Sequence, residues 1–490
     1  MSFDTPLLIT FIVYLMGILY LGVRGYRRTH DLGDYILGGR KLGPVVTALS
    51  AGASDMSGWL LLGLPGAIYV AGLSEIWIGV GLVIGAYYNW VFVAKPLRIH
   101  SQHANNSLTL PDYFENRFKD RSRVLRLLSA IVILLFFTFY TASGLVGGAI
   151  LFENSFGLDY SIALFSGALI IVIYTFVGGF LAVSWTDAVQ AILMLIALLI
   201  VPLSVIAGAG GSSSAWSQLQ AANPQSTALF ANMTFISFVS LLAWGLGYVG
   251  QPHILARFMA AENPLKLVAA RRIAMSWMLI VLLGSVSTGL AGIAYFSGQP
   301  LNNPETVFIA LSQNLFNPWI AGIITAAILS AIMSTVDSQL LVSSSVISED
   351  FYRVFIRPNA SDKELLTVSR AAVIGIALLA LLIASDRDSR VLDLVSYAWA
   401  GFGASFGPVV VFSLFWRKMT AQSAVAGMLL GAVTVVFWSN MSGGIFDLYE
   451  IVPGFLFGSI AIVGFGLLKP EVNGATLDQY DGAQLLLAGR

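Results

Sequence analysis

The chain lacks cysteine and is poor in charged residues: none of its 490 residues is cysteine, and only 11% are Asp, Glu, Lys or Arg. The absence of cysteine excludes a fold held by disulfides. A soluble globular protein carries roughly 25% charged residues, so the scarcity of charge excludes ordinary soluble and disordered architectures. The 26 basic and 26 acidic residues cancel, and we expect no binding to nucleic acid.

Hydrophobic residues, by contrast, make up 57% of the chain, and its mean hydropathy is +0.81. A bilayer core of about 30 Å is crossed by roughly 20 apolar residues in a helix. Thirteen segments of about this length predict an all-α, polytopic membrane protein with about 13 transmembrane helices. The predicted spans are 6–25, 44–65, 72–94, 125–152, 160–183, 186–207, 233–256, 272–296, 318–346, 367–385, 391–415, 420–439 and 450–468.

The distribution of positive charge predicts the orientation, because Lys and Arg gather in cytoplasmic loops. With the N-terminus outside and the C-terminus in the cytoplasm, only Arg387 and Arg390 of the 26 basic residues fall outside. No basic residue lies in the middle of a predicted span, so we expect a zwitterionic or neutral polar substrate. The 95–124 loop is expected to hold a short surface helix, and the 208–232 loop to be a flexible connector with room for a short helix. The tail after Pro470 is expected to be disordered.

Two predicted spans look interrupted near their centres. In Leu49–Ala67, glycines and serines surround Asp55, a buried carboxylate that costs about 2.5–3.5 kcal/mol in mid-membrane and is therefore usually paired or functional. In Ala243–Ala260, three glycines and Pro252 fall within eight residues, with Trp244 and Tyr248 on one face. Close packing of helices through small residues is the alternative explanation.

The two interruptions occupy corresponding places in two five-helix units, which is typical of transporters with inverted repeats and a site at mid-depth. Each unit has an odd number of spans, so the two are predicted to be inverted. The predicted divisions are an N-terminal helix and inside loop (1–43), the first repeat (44–210), an outside connector (211–232), the second repeat (233–416), and two extra helices with a polar tail (417–490).

Span 318–346 carries a cluster of polar residues. Ala331, Ser334 and Thr335 share one helix face, and together with freed carbonyls of the first break they would make a five-oxygen cage for a small hard cation. Membrane hydroxyls also bond to their own helix, which is the alternative. Asp187 and Asp337 would form a second cation site or an exit path if they face each other; otherwise Asp187 caps a helix and one carboxyl is protonated.

Several stretches together resemble the sodium/solute symporter family. They are DYILGGRKLGPVVTALSAGASDMSGW, LTLPDYFENRF, FVGGFLAVSWTD, WGLGYVGQPHILARFMA and SYAWAGFGASFGPVV. The resemblance extends to about residue 468 and implies a leucine-transporter-type fold: a 5+5 inverted-repeat core, one helix before it and two after. It also implies a multi-pass protein of the bacterial inner membrane that carries one Na⁺ together with L-proline.

The resemblance also implies roles for individual residues. Sodium would be held by the carbonyls of Ala53, Met56 and Ala331 and the hydroxyls of Ser334 and Thr335, with Asp55 tuning the site. The positions implied for proline are Ser57, Trp59, Gly63, Tyr140, Trp244, Tyr248 and Pro252. Arg40 would take part in inward release. Some relatives hold a second sodium, but Asp337 here replaces a hydroxyl, which leaves open a second cation site or an exit path built from Asp187, Asp337 and Ser338.

The alternative within the same class is a sodium symporter for another small zwitterion or a neutral solute. A cation channel is the alternative from a different class, but it would need a continuous polar stripe or repeated filter loops. An enzyme is not expected, since all four histidines (His30, His100, His103 and His253) lie in or beside predicted inside loops. Na⁺, L-proline and the lipid bilayer are the expected partners, and no obligatory protein partner is expected.

Overall fold

A computed structural model describes residues 5–27, 29, 31–177, 179–468 and 472–489. Over these ranges the regular structure is helical, apart from one parallel bridge between Leu42 and Ala261. Arg28, Lys469 and Arg490, three of the basic residues used to predict orientation, lie outside the described residues. The helical structure of the described ranges confirms the all-α class predicted from hydropathy.

Twenty-one α-helices follow one another along the described chain. Those before the outer connector are α1 (Thr5–Tyr26), α2 (Leu32–Leu37), α3 (Pro44–Asp55), α4 (Leu64–Ala71), α5 (Ile76–Tyr88), α6 (Ala94–His103), α7 (Leu110–Phe118), α8 (Val124–Phe156), α9 (Tyr160–Val177) and α10 (Phe180–Gly208). The remaining ones are α11 (Ser212–Ala222), α12 (Phe235–Ala243), α13 (Pro252–Ala260), α14 (Leu267–Tyr295), α15 (Val307–Leu315), α16 (Pro318–Ser345), α17 (Asp362–Ala384), α18 (Val391–Phe415), α19 (Ala421–Trp438), α20 (Ile451–Leu468) and α21 (Gly474–Leu487).

The number of membrane spans depends on how two regions are counted. Among the described residues, 10 helices are long and apolar enough to cross a bilayer, or 11 with the bent pair α12–α13. Trp59–His103 counts as one stretch of 45 residues, although at 1.5 Å per residue it is about twice the length of a bilayer core. Gly72, with φ +78°, turns the chain inside that stretch. The count of 13 stays a prediction.

Both helices that were predicted to be interrupted are interrupted in the structure. The first stops at Asp55, and Met56 follows with φ −82° and ψ 70°, outside the helical region. A π-helical turn, Trp59–Gly63, then leads into α4. The second passes from α12 through a 3₁₀ segment, Trp244–Gly250, into α13 with a bend of 43°. Each break frees backbone groups at mid-helix, where protein rather than lipid surrounds them.

The 3₁₀ segment of the second break packs closely against α5. A Cβ added to Gly85 would lie 2.0 Å from the carbonyl oxygen of Gly245, and one added to Gly245 would lie 2.3 Å from that of Gly81. Side chains at these positions would force the backbones apart. The glycines therefore allow the broken segment to lie directly against a continuous helix, which fixes its position.

The tail differs in order from the sequence-based expectation, whereas two connecting regions contain the short helices that the sequence allowed. The tail after Pro470 was expected to be disordered, but it forms α21, in which Thr476, Tyr480 and Ala483 are buried. The reason is tertiary contact, since α21 packs on α6 and α7. The connector at 208–232 contains α11, the short helix that the sequence allowed there, and a short 3₁₀ turn. The 95–124 region contains most of α6 and the expected short helix, α7, which is not a surface helix because it buries Tyr113, Phe114 and Arg117.

We predict that Gly85→Ala lowers the stability of the folded protein by about 1–3 kcal/mol, because overpacking at a backbone contact forces a shift. The matched control is Gly79→Ala on the same helix, where an added Cβ meets nothing within 4 Å. Thermal unfolding of both variants in detergent checks this. Equal apparent Tm values for the two variants would show that the close approach is not needed.

Candidate functional site

A hydrogen bond between two side chains joins the two broken helices. Asp55, the last residue of α3, is buried, and its Oδ2 accepts a hydrogen bond from the hydroxyl of Tyr248 in the second break. The backbone carbonyl of Asp55 accepts from the N–H of Ser57 at 3.0 Å and from the indole Nε1 of Trp59 at 3.1 Å. The carboxylate therefore ties the first break to the second, while its carbonyl organises the turn that follows.

The oxygens expected to hold sodium converge beside this link. The hydroxyl of Ser334 on α16 lies 2.8 Å from the carbonyl oxygen of Ala53 and 3.1 Å from that of Ala331. The hydroxyl of Thr335 lies 3.4 Å from the same Ala53 oxygen. Met56 follows directly on α3, with backbone angles that take its carbonyl out of the helical hydrogen-bond pattern. The structure thus brings α3 and α16 together at the expected oxygens.

The spacing of these atoms suits a small hard cation. An ion with oxygen ligands at about 2.3–2.6 Å holds neighbouring ligands about 3.3–3.7 Å apart at right angles. The oxygens of Ala53, Ala331, Ser334 and Thr335 are already 2.8–3.4 Å from one another along the hydrogen bonds that join them. Rotation of the two hydroxyls would turn their lone pairs toward an ion with only a small separation of α3 from α16.

The four aromatic residues expected to contact substrate are all buried next to the same breaks. The rings of Trp59 and Trp244, one from each break, lie 6.5 Å apart between centroids. The hydroxyl of Tyr140 on α8 donates to the carbonyl of Asp55 at 3.4 Å. Tyr248 is held by its bond to Asp55. Side chains from three separate segments therefore meet at one place.

Trp399 on α18 is a member of this group that the sequence reasoning missed. Its indole Nε1 donates to the carbonyl of Trp244 at 2.7 Å, and its ring meets that of Tyr248 edge to face at 5.1 Å. A Cβ on Gly247 would lie 1.9 Å from the same indole nitrogen. The signal was a tryptophan inside the Gly- and Ala-rich stretch SYAWAGFGASFG, which does not by itself say which helix it faces.

The remaining expected substrate positions line the backbone of the two breaks. The hydroxyl of Ser57 accepts from the N–H of Trp59 at 3.4 Å. Gly63 leaves room for α18, since a Cβ there would lie 3.2 Å from the Cβ of Leu392. Pro252 is the first residue of α13 and needs no hydrogen-bond acceptor at that position.

His253 corrects one expectation from the sequence. It was placed in or beside an inside loop, but it is fully buried in the first turn of α13, with its ring 5.9 Å from Tyr140 and 5.6 Å from Phe137. Within the described part of the chain, neither ring nitrogen has a hydrogen-bond partner. The break puts this residue deeper than a count of apolar residues suggests.

Arg257 corrects another expectation, that no buried cation is present. This side chain is fully buried on α13, and its Nη2 lies 3.1 Å from Asp187 Oδ2 and 2.5 Å from the hydroxyl of Ser338. Its Nε donates to Ser50 at 3.1 Å, and its guanidinium lies 5.0 Å above the ring of Phe180. The sequence assigned Arg257 to a loop because it follows the apolar run by one residue.

Asp337 lies at the edge of the same network. The Ser338 hydroxyl is 3.4 Å from its Oδ1, and its Oδ2 has no hydrogen-bond partner within the described ranges. Asp187 and Asp337 therefore do not form a pair by themselves: the guanidinium of Arg257 bonds Asp187 and Ser338. The sequence could not show this because Arg257 comes from a third helix.

Arg40, expected to act at the inner mouth, joins four segments. Its guanidinium donates to the carbonyls of Met259 at 2.5 Å and Ser107 at 2.8 Å, and to side chains of Asn106 at 2.9 Å and Ser101 at 3.3 Å. Burial, with a smaller contribution from nearby Arg98, lowers the pKa of Arg40 to about 9. At neutral pH it therefore remains charged and fastens the end of α13.

On the opposite side, a cavity of about 850 Å³ reaches the aromatic group. Trp244 and Tyr449 lie among its lining residues, and so do the carboxylates of Glu75, Asp393 and Glu450. This cavity opens between the 386–390 and 439–450 loops, on the face predicted to be outside, and of the aromatic group it reaches Trp244. On the face predicted to be inside, the contacts of Arg40 and Arg257 fasten α13 to neighbouring segments.

We predict that Asp187→Leu alone destabilises the protein by about 3–5 kcal/mol, because it leaves Arg257 buried without its counter-charge. The double variant Asp187→Leu/Arg257→Met removes both charges and is expected to recover most of that loss. Thermal unfolding of the single and double variants checks this. A double variant no more stable than the single one would show that the ion pair is not the reason for the loss.

The chain matches the family model described as the sodium:solute symporter family over residues 35–431. It is 55% identical to the sodium/proline symporter of Salmonella typhimurium (strain LT2), covering 98% of this chain and 96% of that one. It is 49% identical to the high-affinity proline transporter of Bacillus subtilis (strain 168), covering 95% and 99%.

Among solved structures, the fold is similar to that of a Na⁺-coupled sialic acid symporter in a substrate-bound outward-open state, with a TM-score of 0.82 and 19% identity over 96% of this chain and all of that one. This likeness confirms the leucine-transporter-type fold. The curated relatives carry transporter names and are not enzymes. With the match over most of its length and a relative at 55% identity, the chain belongs to the sodium:solute symporter family.

Proposed function

We propose that this protein imports L-proline together with Na⁺ by alternating access across a bacterial membrane. The observation that carries the proposal is the meeting of Ser334, Thr335 and Ala53 beside the Asp55–Tyr248 hydrogen bond. The oxygens of Ser334, Thr335 and Ala53 suit an ion. The hydrogen bond from Tyr248 to Asp55 joins α3, which would bind that ion, to the second break beside the aromatic group. The relatives named as proline transporters identify the solute.

Sodium binds between α3 and α16 in this proposal. The ligands are the carbonyls of Ala53, Met56 and Ala331 and the hydroxyls of Ser334 and Thr335. Neutral oxygens of this kind satisfy a hard monovalent cation. Asp55 supplies negative charge next to the cage without needing to be a ligand, since one of its oxygens is engaged by Tyr248. Its field lowers the cost of taking the ion out of water.

The solute binds between the two breaks. The rings of Trp59, Tyr140, Trp244 and Tyr248 surround its apolar ring, and Ser57, Gly63 and Pro252 border it along the backbone. Its carboxylate faces free N–H groups at the start of a half-helix, where the helix dipole is positive. Its ammonium faces carbonyls of the breaks or an aromatic face such as that of Trp244.

Arg257 is not the group that receives the carboxylate. Its Nε donates to Ser50, its Nη1 to the carbonyl of His253 at 3.0 Å and its Nη2 to Asp187 and Ser338. All three nitrogens are therefore engaged, and its charge is balanced by Asp187. A buried cation with its charge balanced in this way is compatible with the zwitterionic or neutral polar solute expected from the sequence.

Coupling between sodium and solute follows from the hydrogen bond between Tyr248 and Asp55, which the two proposed sites share. Sodium bridges α3 and α16, which fixes the position of Asp55 and, through it, Tyr248 at the solute site. A linkage of about 1–3 kcal/mol is typical of such sites. A membrane potential of about 100 mV supplies roughly 2.3 kcal/mol per charge, and a tenfold sodium gradient adds about 1.4 kcal/mol. One ion can thus sustain accumulation of a few hundred-fold.

Release to the inside requires that the contacts of the inner half separate. Arg40 holds the carbonyl of Met259, and the Arg257 network holds α13 to α3, α10 and α16. We assign Asp187, Asp337 and Ser338 to the exit path that this network closes, rather than to a second cation site, because Arg257 already provides the positive charge there. The units 44–210 and 233–416 are the inverted repeats in this scheme, with the N-terminus outside.

Uptake into proteoliposomes tests the function directly. We expect proline to accumulate with an inward sodium gradient and a proton gradient alone to do little. Unchanged uptake in sodium-free buffer would overturn the coupling. Competition at fixed sodium then tests the solute, with proline analogues and other small zwitterions compared as inhibitors of sodium-dependent uptake. If proline itself did not inhibit that uptake, the substrate would be another solute.

Asp55→Asn is expected to raise the sodium concentration for half-maximal uptake at least tenfold while the protein stays folded, because it removes the charge beside the oxygen cage. Tyr248→Phe, which leaves the charge but removes its hydrogen bond, should weaken sodium and proline together, since both depend on the joined breaks. The surface variant Asp362→Asn is the control for loss of one carboxylate. Wild-type sodium dependence in Asp55→Asn would leave the carboxylate with a structural role only.

A further inference from the structure

The C-terminal helix α21 lies across the inner ends of several transport helices. It follows α20, outside the 35–431 range matched by the family model. Its residues Thr476, Tyr480 and Ala483 are buried against the rest of the protein. A helix docked at this place contacts α6, α7 and α18 at once, so its contacts bear on any movement of these helices relative to one another.

The first contact is with α7, through Arg117. This arginine is fully buried, and its guanidinium lies 4.9 Å from the ring centroid of Tyr480 and 3.4 Å, through Nη1, from the carbonyl oxygen of Thr476. Its Nε donates to the carbonyl of Ser413, near the end of α18, at 3.1 Å. The hydroxyl of Thr476 donates to the carbonyl of Phe118 at 3.2 Å. Arg117 thus joins α7, α18 and α21, and α21 supplies two of its partners.

The second contact is with the end of α18 and the loop that follows it. The side-chain amide of Gln484 donates to the carbonyl of Leu414 at 3.2 Å, in the last turn of α18. Asp481 accepts two hydrogen bonds from Arg417, at 2.7 and 2.6 Å. This ion pair is about half exposed, 48% for Arg417 and 45% for Asp481. Salt in the surrounding solution therefore screens it.

The third contact is with the end of α6. A Cβ added to Gly482 would lie 2.5 Å from Nε2 of His103, so the backbone of α21 rests directly on that ring. The ring of Tyr480 lies 5.6 Å from that of His100. Because α6 follows the third predicted span and α18 is the eleventh, α21 is attached to both halves of the transporter core.

We infer that α21 is a latch that holds the inner ends of α6, α7 and α18 together while the outer cavity is open, and that it loosens before the inner side opens. The inference rests on the alternating access proposed above. A helix fixed to both halves resists their separation, and the exposed Arg417–Asp481 pair is its adjustable part. Higher ionic strength on the inner side is expected to weaken the latch and favour the inward-open state.

The absence of cysteine in the chain makes a distance measurement clean. Spin labels are attached at Leu265→Cys, in the α13–α14 loop, and Gln422→Cys, at the start of α19, both exposed in the full chain. The distances between labels are recorded in lipid nanodiscs with sodium and without proline. The variants are Asp481→Asn and a chain that ends at Asn473. Asp478→Asn is the matched control, because this exposed carboxylate lies on the same helix.

We expect one narrow distance distribution in the full chain and in Asp478→Asn. Asp481→Asn is expected to enlarge a longer-distance population severalfold, and the truncated chain to enlarge it further. Raising the salt concentration should shift the distance distribution of the full chain toward that of Asp481→Asn and leave the distribution of that variant unchanged. The exchange Arg417→Asp/Asp481→Arg should restore the narrow distribution.

Identical distance distributions in Asp481→Asn and the full chain at every salt concentration would overturn the inference that α21 is a latch. So would an Arg417→Asp/Asp481→Arg variant whose distances match those of Asp481→Asn. If the truncated chain does not fold, these two comparisons still decide the question. Failure of the proposed function is separate, because it appears as absence of sodium-driven proline uptake by the unmodified chain. The distance measurement does not depend on which solute is carried.

Discussion

The hydrogen bond between Asp55 and Tyr248 is the contact on which the arrangement of the site depends. Each partner comes from a helix that is broken at mid-depth, and each break exposes backbone groups that lipid could not satisfy. The bond places one break against the other. Ala53, which contacts Ser334, lies two residues before Asp55, and Trp59 and Tyr140 donate to the carbonyl of Asp55. The proposed ion and solute sites therefore share one supporting contact.

Much of this site was predictable because a membrane makes sequence signals unusually plain. A carboxylate among glycines and serines, as around Asp55, is costly in lipid, and it correctly predicted an interrupted helix. The i, i+3, i+4 spacing of Ala331, Ser334 and Thr335 follows from helix geometry alone and correctly placed them on one face. That this face meets Ala53 came from the family resemblance, and the geometry agrees with it.

What the sequence did not reveal depends on contacts between distant helices. Arg257 looked like a loop residue because one apolar run ends just before it, yet Asp187 and Ser338 make its burial possible. The tail looked disordered by composition, but Arg117 needs the ring and carbonyl that α21 offers. Trp399 gave no signal of which neighbour it faced. In each case the deciding partner is more than 60 residues away in the chain.

The close approach of Trp399 to Gly247 limits how this transporter can be redesigned. The indole nitrogen occupies the place where any side chain at residue 247 would begin, 1.9 Å from the hypothetical Cβ, and the same nitrogen holds the carbonyl of Trp244. Enlarging the proposed solute site from that side would therefore displace the Trp399 indole together with the carbonyl of Trp244 that it holds. Shortening Trp59 or Tyr140 offers no simpler route to a bulkier cargo, because both side chains donate hydrogen bonds to the carbonyl of Asp55.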